Sequence, residues 1–391
     1  MPGDTYTEVT RRSWGSKLGA SIKGIFGGLI IALLGVVLLW WNEGRAVTTA
    51  RSLKEGARKV VSILADRVDP AYEGKLVHTS GEATTAETLV DPDCGVQARA
   101  LALRRKVEMY QWKESSRSET KKKLGGGEET VTTYSYERAW SDGLIDSSRF
   151  KKPEGHTNPQ RFPLESEVWR AGTVTLGAFT LSPALASQIG TFEPLPPPDP
   201  YRFRLPAGPG RRVQAHGTYL YIGSDPARPE VGDLRISFGM VPPATVSVVA
   251  KQSGGTLTAF QTDAGRALQL LAYGVQPADV MFETAQHGNT MLTWLLRLVG
   301  FGLIFAGLNA LFRPLVVLGD VVPFVGNLLS KGAAAMSFLV AAVVAFVVIA
   351  LAWIAHRPVL GIALLAAAAG ALVLVLRRKK TKAGPPPLPA A

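Results

Sequence analysis

The sequence predicts an α+β membrane protein in which four transmembrane helices carry one large β-rich domain outside the membrane. Three observations predict this class. Long uncharged apolar runs lie near both ends of the 391-residue chain, basic clusters flank these runs, and the middle section consists of short segments in which aromatic or branched residues alternate with polar ones. We expect the middle section to form two related small β-barrel-like units.

The first predicted span is residues 24–41, which contain no charged side chain. A helix needs about 20 residues to cross the hydrocarbon core, so this run is long enough. Four basic residues lie within residues 1–23, and such positive flanks are held on the cytoplasmic side during insertion. Residues 1–23 are therefore predicted to be a cytoplasmic N-terminus, with residues 42–290 on the extracytoplasmic, periplasmic or lumenal side.

Three more spans are predicted near the C-terminus, at residues 291–312, 336–354 and 358–376. Only Arg297 interrupts them, and we expect its long side chain to reach the headgroups, the alternative being a buried functional arginine. Alternating chain direction then places residues 377–391, a basic and proline-rich tail, in the cytoplasm. The two basic ends of the chain thus agree on one topology.

Residues 313–335 lie between the second and third spans and are apolar but broken by glycine, proline and aspartate. A segment broken in this way is a poor crossing helix, so we expect a re-entrant or in-plane element on the cytoplasmic side. Asp320 then either faces water from an interfacial helix or lines a polar cavity. Arg313, at the start of the segment, is a candidate interface residue.

The middle section begins with a helix over residues 45–59 that continues from the first span. Short helices are expected at 165–168, 182–189 and 279–286, and a charged, glycine-rich hairpin tip at 121–127. The prolines of residues 194–200 are expected to divide the domain into halves at 60–193 and 201–285. Seven strands are predicted by alternation, at residues 75–79, 101–112, 130–140, 219–222, 234–240, 245–251 and 257–261.

Several function classes lack support in the sequence. The five histidines are scattered without metal-ligand spacing, and no nucleophile elbow, P-loop or dinucleotide-binding motif appears, so no catalytic, metal or cofactor-binding residue is predicted. Much of the net charge of +12 lies in clusters beside the spans, which favours a role in membrane topology over nucleic-acid binding. The lone Cys94 has no intramolecular disulfide partner.

The candidate functional residues are of two kinds. Charged residues near the span ends are candidates for contacts with the membrane interface or with partners, and small residues within the spans are candidates for close helix packing, either within one chain or between copies. The first group is Glu43, Arg45, Arg297, Arg313 and Asp320, and the second is Gly28, Ala32, Gly300 and Gly307.

Several ordered blocks of the sequence resemble the LUMA, or transmembrane protein 43, family. The similarity extends from Asn42 to the fourth predicted span. The blocks are NEGRA at 42–46, EGKLVH at 73–78, DPDCGV at 91–96, LRRKVEMYQW at 103–112, YSY at 134–136, GHTNP at 155–159 and PEVGDLR at 229–235. The composition, rich in alanine, glycine, proline and arginine, is typical of a bacterial relative.

The resemblance implies a four-span protein that self-associates and organises membrane-protein complexes. In animals it places the large loop in the lumen of the endoplasmic reticulum and nuclear envelope, and in a bacterium the corresponding compartment is the periplasm, with the chain in the inner membrane. We therefore expect a non-enzymatic scaffold whose partners are membrane lipids, other membrane proteins and further copies of itself. A lipid- or envelope-modifying enzyme near Arg45, His78 or His156 is the alternative, and an ion-conducting or sensing assembly around Asp320 is a third.

Overall fold

A computed structural model describes residues 4–200 and 211–357. The fourth predicted span, residues 358–376, and the tail, residues 377–391, lie outside the described residues. Within the described part the chain forms two compact units. The helical unit comprises residues 13–51, 124–127 and the chain from 286 onwards, and the β-rich unit comprises the N-terminus to residue 12, residues 52–123 and residues 128–285.

Three long helices of the described chain are long and apolar enough to cross a membrane. They are α1 (Trp14–Lys59), α3 (Ala278–Gly319) and α4 (Pro323–His356), and the short α2 is Pro183–Ala186. These bounds confirm that residues 45–59 continue the first helix and that 279–286 are helical, and α2 lies within the predicted 182–189. Outward-facing side chains such as Phe26 and Val37 are 73% and 62% exposed, as expected of helices that face lipid.

Residues 313–335, predicted to be a re-entrant or in-plane element, instead belong to two long helices and the turn between them. The helix α3 continues through Pro314 to Gly319, and α4 begins at Pro323 after a short turn. The backbone N–H of Asp320 donates to the carbonyls of Val316 and Val317, which closes the end of α3, and proline suits the first turn of the next helix because it has no N–H to leave unpaired.

Strand bounds agree with the prediction for most segments. Residues 165–168 are an exception, because 167–170 pair with a neighbouring strand instead of forming a helix. The strands are β1 Thr5–Arg12, β2 Val61–Ser62, β3 Leu76–Thr84, β4 Leu89–Asp91, β5 Val96–Ala98, β6 Ala102–Lys122, β7 Glu128–Ser141, β8 Glu167–Arg170, β9 Thr175–Leu176, β10 Phe179–Leu181, β11 Glu193–Leu195, β12 Arg212–His216, β13 Tyr219–Gly223, β14 Leu234–Val241, β15 Ala244–Ser253, β16 Thr256–Thr258, β17 Phe260–Gln261, β18 Ala267–Leu268 and β19 Leu270–Tyr273.

One sheet of the β-rich unit closes into a barrel. Its seven strands run in the order β19-β15-β16-β10-β9-β3-β2, and an additional pairing of β15 with β3 closes β15, β16, β10, β9 and β3 into a ring. The alternating inward residues of these strands form a core that includes Phe179, Leu176 and Val248, all fully buried. One small barrel is thus present in this unit.

The second large sheet is open and has eight strands. Its main path is β1-β7-β6-β14-β13-β12, with β11 on β14 and β8 on β6. Both sheets mix strands from before and after the proline-rich segment, so the predicted division into halves at 60–193 and 201–285 is wrong. Glu193–Leu195, at the start of that segment, pairs with β14. Pro194 lies at the centre of this short strand, a position that an edge strand tolerates.

The N-terminal segment forms a strand of the open sheet. Residues 5–12, expected to be part of a cytoplasmic N-terminus, form β1 and pair antiparallel with residues 128–135 of β7. Residues 5–12 therefore belong to the same sheet as residues 128–135. The positive residues Arg11 and Arg12 instead oppose Glu129 and Glu128 across the strand pair, where opposite charges stabilise the pairing.

Candidate functional site

A polar cluster in the helical unit begins where the apolar run of α1 ends. After Trp41 the helix continues through Asn42, Glu43, Gly44 and Arg45 without a break. One helical turn separates Asn42 from Arg45, and the Arg45 guanidinium donates to the Asn42 side-chain oxygen at 3.2 and 3.3 Å. Polar groups in a helix at the end of a span are stabilised when neighbouring helices supply partners.

Glu43 is the centre of this cluster. Its Oε1 accepts from Arg297 Nε at 2.6 Å, and its Oε2 accepts from Arg297 Nη2 at 2.9 Å and from Trp353 Nε1 at 2.9 Å. The two parallel Arg297 bonds are the bidentate geometry in which arginine and carboxylate interact most strongly. Glu43 is 2% exposed, so these donors take the place of water around its charge. The bonds join Glu43 of α1 to Arg297 of α3 and Trp353 of α4.

Arg45 forms a second set of bonds between α1 and α3. Its Nη1 donates to Asn289 Oδ1 at 3.0 Å and its Nη2 to Thr293 Oγ1 at 2.9 Å. The Asn42 side-chain amide donates to the Thr293 carbonyl at 3.0 Å, and the Asn289 amide donates to the Ala46 carbonyl at 3.1 Å. Every polar side chain named here therefore has a partner on the facing helix.

His356 lies against the same stretch of α1. A Cβ on Gly44 would lie 2.9 Å from the His356 ring, so a larger residue at position 44 would displace the ring. Arg51 donates to the His356 carbonyl at 2.7 Å, near the end of α4. These contacts hold the end of α4 against α1.

A cavity of about 130 Å³ lies within this cluster. Glu43, Arg297 and Arg357 are its charged lining residues. Its remaining walls come from α1 and α3: Ala46, Ala50, Gln286, Asn289, Thr290, Thr293 and Trp294.

Asp320, the other predicted acidic site residue, lies elsewhere in the helical unit. Its Oδ2 accepts from Lys17 Nζ at 2.8 Å, and both side chains are less than 10% exposed. Lys17 also donates to the Gly126 carbonyl at 3.2 Å, and Trp14 Nε1 donates to the Val317 carbonyl at 2.8 Å. Asp320 therefore joins the turn between α3 and α4 to the start of α1 and the hairpin tip.

The candidate packing glycines are used within the chain. A Cβ on Gly28 would lie 2.8 Å from the Gly307 carbonyl, and one on Gly307 would lie 2.6 Å from the Ala32 backbone nitrogen. A Cβ on Gly300 would meet the side chain of Leu39. These contacts bring α1 and α3 close together, which is the usual use of small residues in membrane helices.

The structure brings three of the five predicted interface residues into one site. Glu43, Arg45 and Arg297 share the cluster, Asp320 forms the separate pair with Lys17, and Arg313 is exposed on α3. Arg297, whose side chain is predicted to extend to the headgroups, binds Glu43 with its guanidinium, which lies 4.7 Å from the centre of the Trp294 ring.

Sequence reasoning missed the partners of these residues. Asn289, Thr293, Trp353 and Lys17 supply the bonds described above, and only their position at span ends marks them in the sequence. The sequence shows that hydrogen-bonding residues lie at the boundaries of the apolar runs. It does not show which of them pair, because the partners are more than 240 positions apart.

The two histidines of the enzyme alternative have structural partners in the β-rich unit. His78 Nε2 contacts the Gln276 carbonyl at 2.9 Å and its Nδ1 contacts Ser62 Oγ at 3.2 Å. His156 is 1% exposed, with Nδ1 at 2.8 Å from the Lys152 carbonyl and Nε2 at 2.8 Å from Asp4 Oδ2. Across residues 4–200 and 211–357, no group of three or more His, Cys, Asp or Glu side chains is arranged to hold a metal ion.

The β-rich unit contains its own buried charge network. Arg105 Nη1 donates to Asp91 Oδ1 at 2.6 Å and to Asp93 Oδ2 at 3.0 Å, and the same Asp91 oxygen accepts the backbone N–H groups of Asp93 and Cys94. Asp91 is fully buried and Arg105 is 2% exposed. Burial and the nearby Asp91 carboxylate raise the pKa of the Cys94 thiol to about 12, so it is a poor nucleophile.

Comparison with known proteins adds a family to this geometry. Residues 109–358 match the family model described as transmembrane protein 43. The chain is 36% identical over 353 residues to transmembrane protein 43 of Homo sapiens, which covers 88% of this chain and 86% of the relative, and it is equally similar to that of Rattus norvegicus. It is 34% identical to the homolog of Drosophila melanogaster over 87% of this chain and 92% of the relative. No solved structure matches.

Proposed function

Since the chain belongs to the transmembrane protein 43 family and is an integral membrane protein, we propose that it is a non-enzymatic multi-pass scaffold. In this role it associates with other copies of itself and organises membrane-protein complexes or the surrounding lipid through its β-rich unit. The host membrane is the inner membrane of a bacterial cell, which corresponds to the endoplasmic reticulum and inner nuclear membrane proposed for animal relatives.

One observation supports this proposal, namely that Glu43 is bonded to two other helices. Both of its oxygens accept from Arg297 and Trp353, so the cluster's one carboxylate holds three helices together. A general acid or base needs an oxygen that reaches a substrate, and an ion path needs charged groups that exchange partners. A buried charge held from three helices is instead suited to keeping a bundle in one arrangement.

The surface for association with other copies follows from the packing of the helices. The close-packing glycines face each other within the chain, so another copy has to use outward faces. On α4 these faces carry Val343 and Phe346, which are 63% and 74% exposed, whereas Ala341 and Ala345 face the bundle. Large apolar side chains on one helix face offer shape-matched packing to a second copy in the membrane.

In-membrane photocrosslinking tests the proposal. A photoreactive amino acid is placed at Phe346 in the full-length chain, and the matched control carries it at Ala345, one position along the same helix but buried. We expect a covalent adduct of two copies, together with other membrane proteins, from Phe346 and none from Ala345. Lipid adducts alone from Phe346, with a strictly monomeric protein in detergent, would refute self-association.

A further inference from the structure

Four tryptophans lie close in the chain to the charged residues of the cavity beside Glu43. Trp40 and Trp41 precede Glu43 on α1, and Trp294 and Trp353 lie within four positions of Arg297 and Arg357. Their exposed fractions are 43% for Trp40, 56% for Trp41, 64% for Trp294 and 37% for Trp353. Because half-exposed tryptophans concentrate at membrane interfaces, they indicate that the cavity lies where hydrocarbon gives way to polar headgroups.

The cluster around the cavity carries an excess of positive charge. Arg45, Arg297 and Arg357 accompany Glu43, which leaves a net charge of +2. Glu43 and Arg297 form a neutral ion pair, so the excess positive charge comes from Arg45 and Arg357. Two positive charges near a low-dielectric region favour an anionic ligand.

Arg357 is the residue best placed to receive that ligand. It lines the cavity, is half-buried, and its guanidinium lies 4.9 Å from the centre of the Trp353 ring. No ion pair joins it to a carboxylate in residues 4–200 or 211–357. Its planar set of N–H donors matches the oxygens of a phosphate.

The α3 wall adds polar groups, and the cavity volume sets the size of the ligand. Gln286 places an amide on this wall, whereas the Asn289 amide and the Thr290 hydroxyl already donate to the Ala46 and Gln286 carbonyls. A volume of about 130 Å³ admits a small group and excludes a whole lipid, whose chains have to remain in the bilayer. A headgroup at interface depth meets both conditions.

We propose that this cavity binds the phosphate group of a membrane phospholipid, with Arg357 as the main ligand. This inference goes beyond the scaffold role and does not depend on self-association, since the cavity lies within one chain. A free phosphate ion has the same chemistry and is separated from the lipid by the experiment.

Native mass spectrometry of the full-length protein in detergent tests this inference. The protein is titrated with dioleoylphosphatidylglycerol, with and without millimolar inorganic phosphate. The variant R357Q removes the proposed ligand, and R313Q, at an exposed arginine of α3, makes the same charge change elsewhere in the helical unit. We expect R357Q to bind the lipid about tenfold more weakly, as loss of one charge-assisted hydrogen bond implies, and R313Q to bind like the original protein.

Each outcome decides a part of the proposal. Equal lipid binding by R357Q, R313Q and the unchanged protein refutes it. Complete displacement of the lipid by inorganic phosphate assigns the cavity to the free ion and refutes the lipid source. Thermal unfolding of R357Q near that of the original protein shows that its weaker binding is not a folding defect.

Discussion

Both units of this protein pair an arginine with a buried carboxylate, yet the two networks connect very different parts of the chain. In the β-rich unit Arg105 and Asp91 are 14 residues apart, and they fasten the β4–β5 turn to the neighbouring strand. In the helical unit Arg297 and Glu43 are 254 residues apart, and with Trp353 they join three helices. The first pair organises a local turn, whereas the second sets the arrangement of a whole bundle.

The two networks also differ in how many ionic partners each arginine has. Arg105 has Asp91, Asp93 and Glu167 within 3.4 Å, so loss of one carboxylate leaves others. Arg297 is the only cation that bonds to Glu43 in the described chain. A buried charge with one ionic partner is more sensitive to substitution than one with three, and this difference predicts a ranking of mutational effects.

The largest effect is expected from R297A. It leaves Glu43 buried without its cation, which typically costs 3–5 kcal/mol. Thermal unfolding of the full-length protein in detergent measures the loss, and R313A, which removes an exposed arginine from the same helix, is the matched control. A double variant E43Q/R297M removes both charges together, and we expect it to be more stable than R297A. Equal stability of R297A and R313A would contradict the assigned importance of the pair.

The next effect is expected from D91A. This variant removes an acceptor shared by Arg105 and two backbone N–H groups, but Asp93 and Glu167 remain near Arg105, so we expect a loss of about 2–3 kcal/mol. The single cysteine, Cys94, reports on this site directly, and its alkylation by iodoacetamide should accelerate in D91A. In D93A, where the carboxylate is 40% exposed, the alkylation rate should stay near that of the original protein. Fast alkylation of Cys94 in the original protein would contradict its burial.

A smaller effect is expected from G307A in the helical unit. The added Cβ would lie within 2.8 Å of atoms of Gly28 and Ala32, so the helices have to separate, at a cost of about 1–3 kcal/mol. The control is G302A, since a Cβ there meets nothing within 4 Å. If both variants unfold at the same temperature as the original protein, close packing at Gly307 does not stabilise the bundle.

The smallest effect is a pH dependence in the β-rich unit. The Glu55 carboxylate accepts from Lys59 and from the backbone N–H groups of Asp263 and Ala264, which lowers its pKa from 4.5 to about 2. Its contribution to stability is present above pH 4.5 and is lost as the pH falls from 4.5 to about 2. In E55Q the unfolding midpoint should change less with pH across that window. An identical pH profile for E55Q and the original protein would exclude this contribution.

Periodic features were predictable from the sequence. The apolar runs gave α1, α3 and α4, and alternation located strands such as β14 and β15, because burial on one face leaves a period that can be counted. The division into halves failed because sheet order depends on which strands meet, as when β15 pairs with β3 across 160 or more residues. Glycine and proline usually end helices, so residues 313–335 were predicted to form a separate re-entrant or in-plane element. Instead α3 continues through Pro314 to Gly319.

The candidate site was predictable by position but not by partner. Three charged residues lie at span boundaries: Glu43, Arg45 and Arg297. Because burying a charge in a membrane costs free energy, charged residues at these positions indicate a structural or functional role. Their pairing depends on the relative rotation of three helices. That rotation follows from close contacts such as Gly28 against Gly307, which no single helix reveals.

The pairing of β1 with β7 has a consequence for biosynthesis. Thr5–Arg12 leave the ribosome before their partners at 128–135, which follow roughly 120 residues later, or about 6–24 s at ordinary translation rates. Residues 5–12 therefore wait unpaired until β7 arrives. A bulky group attached directly ahead of Thr5 would hinder that pairing, and β7 would meanwhile present an open edge to neighbouring chains.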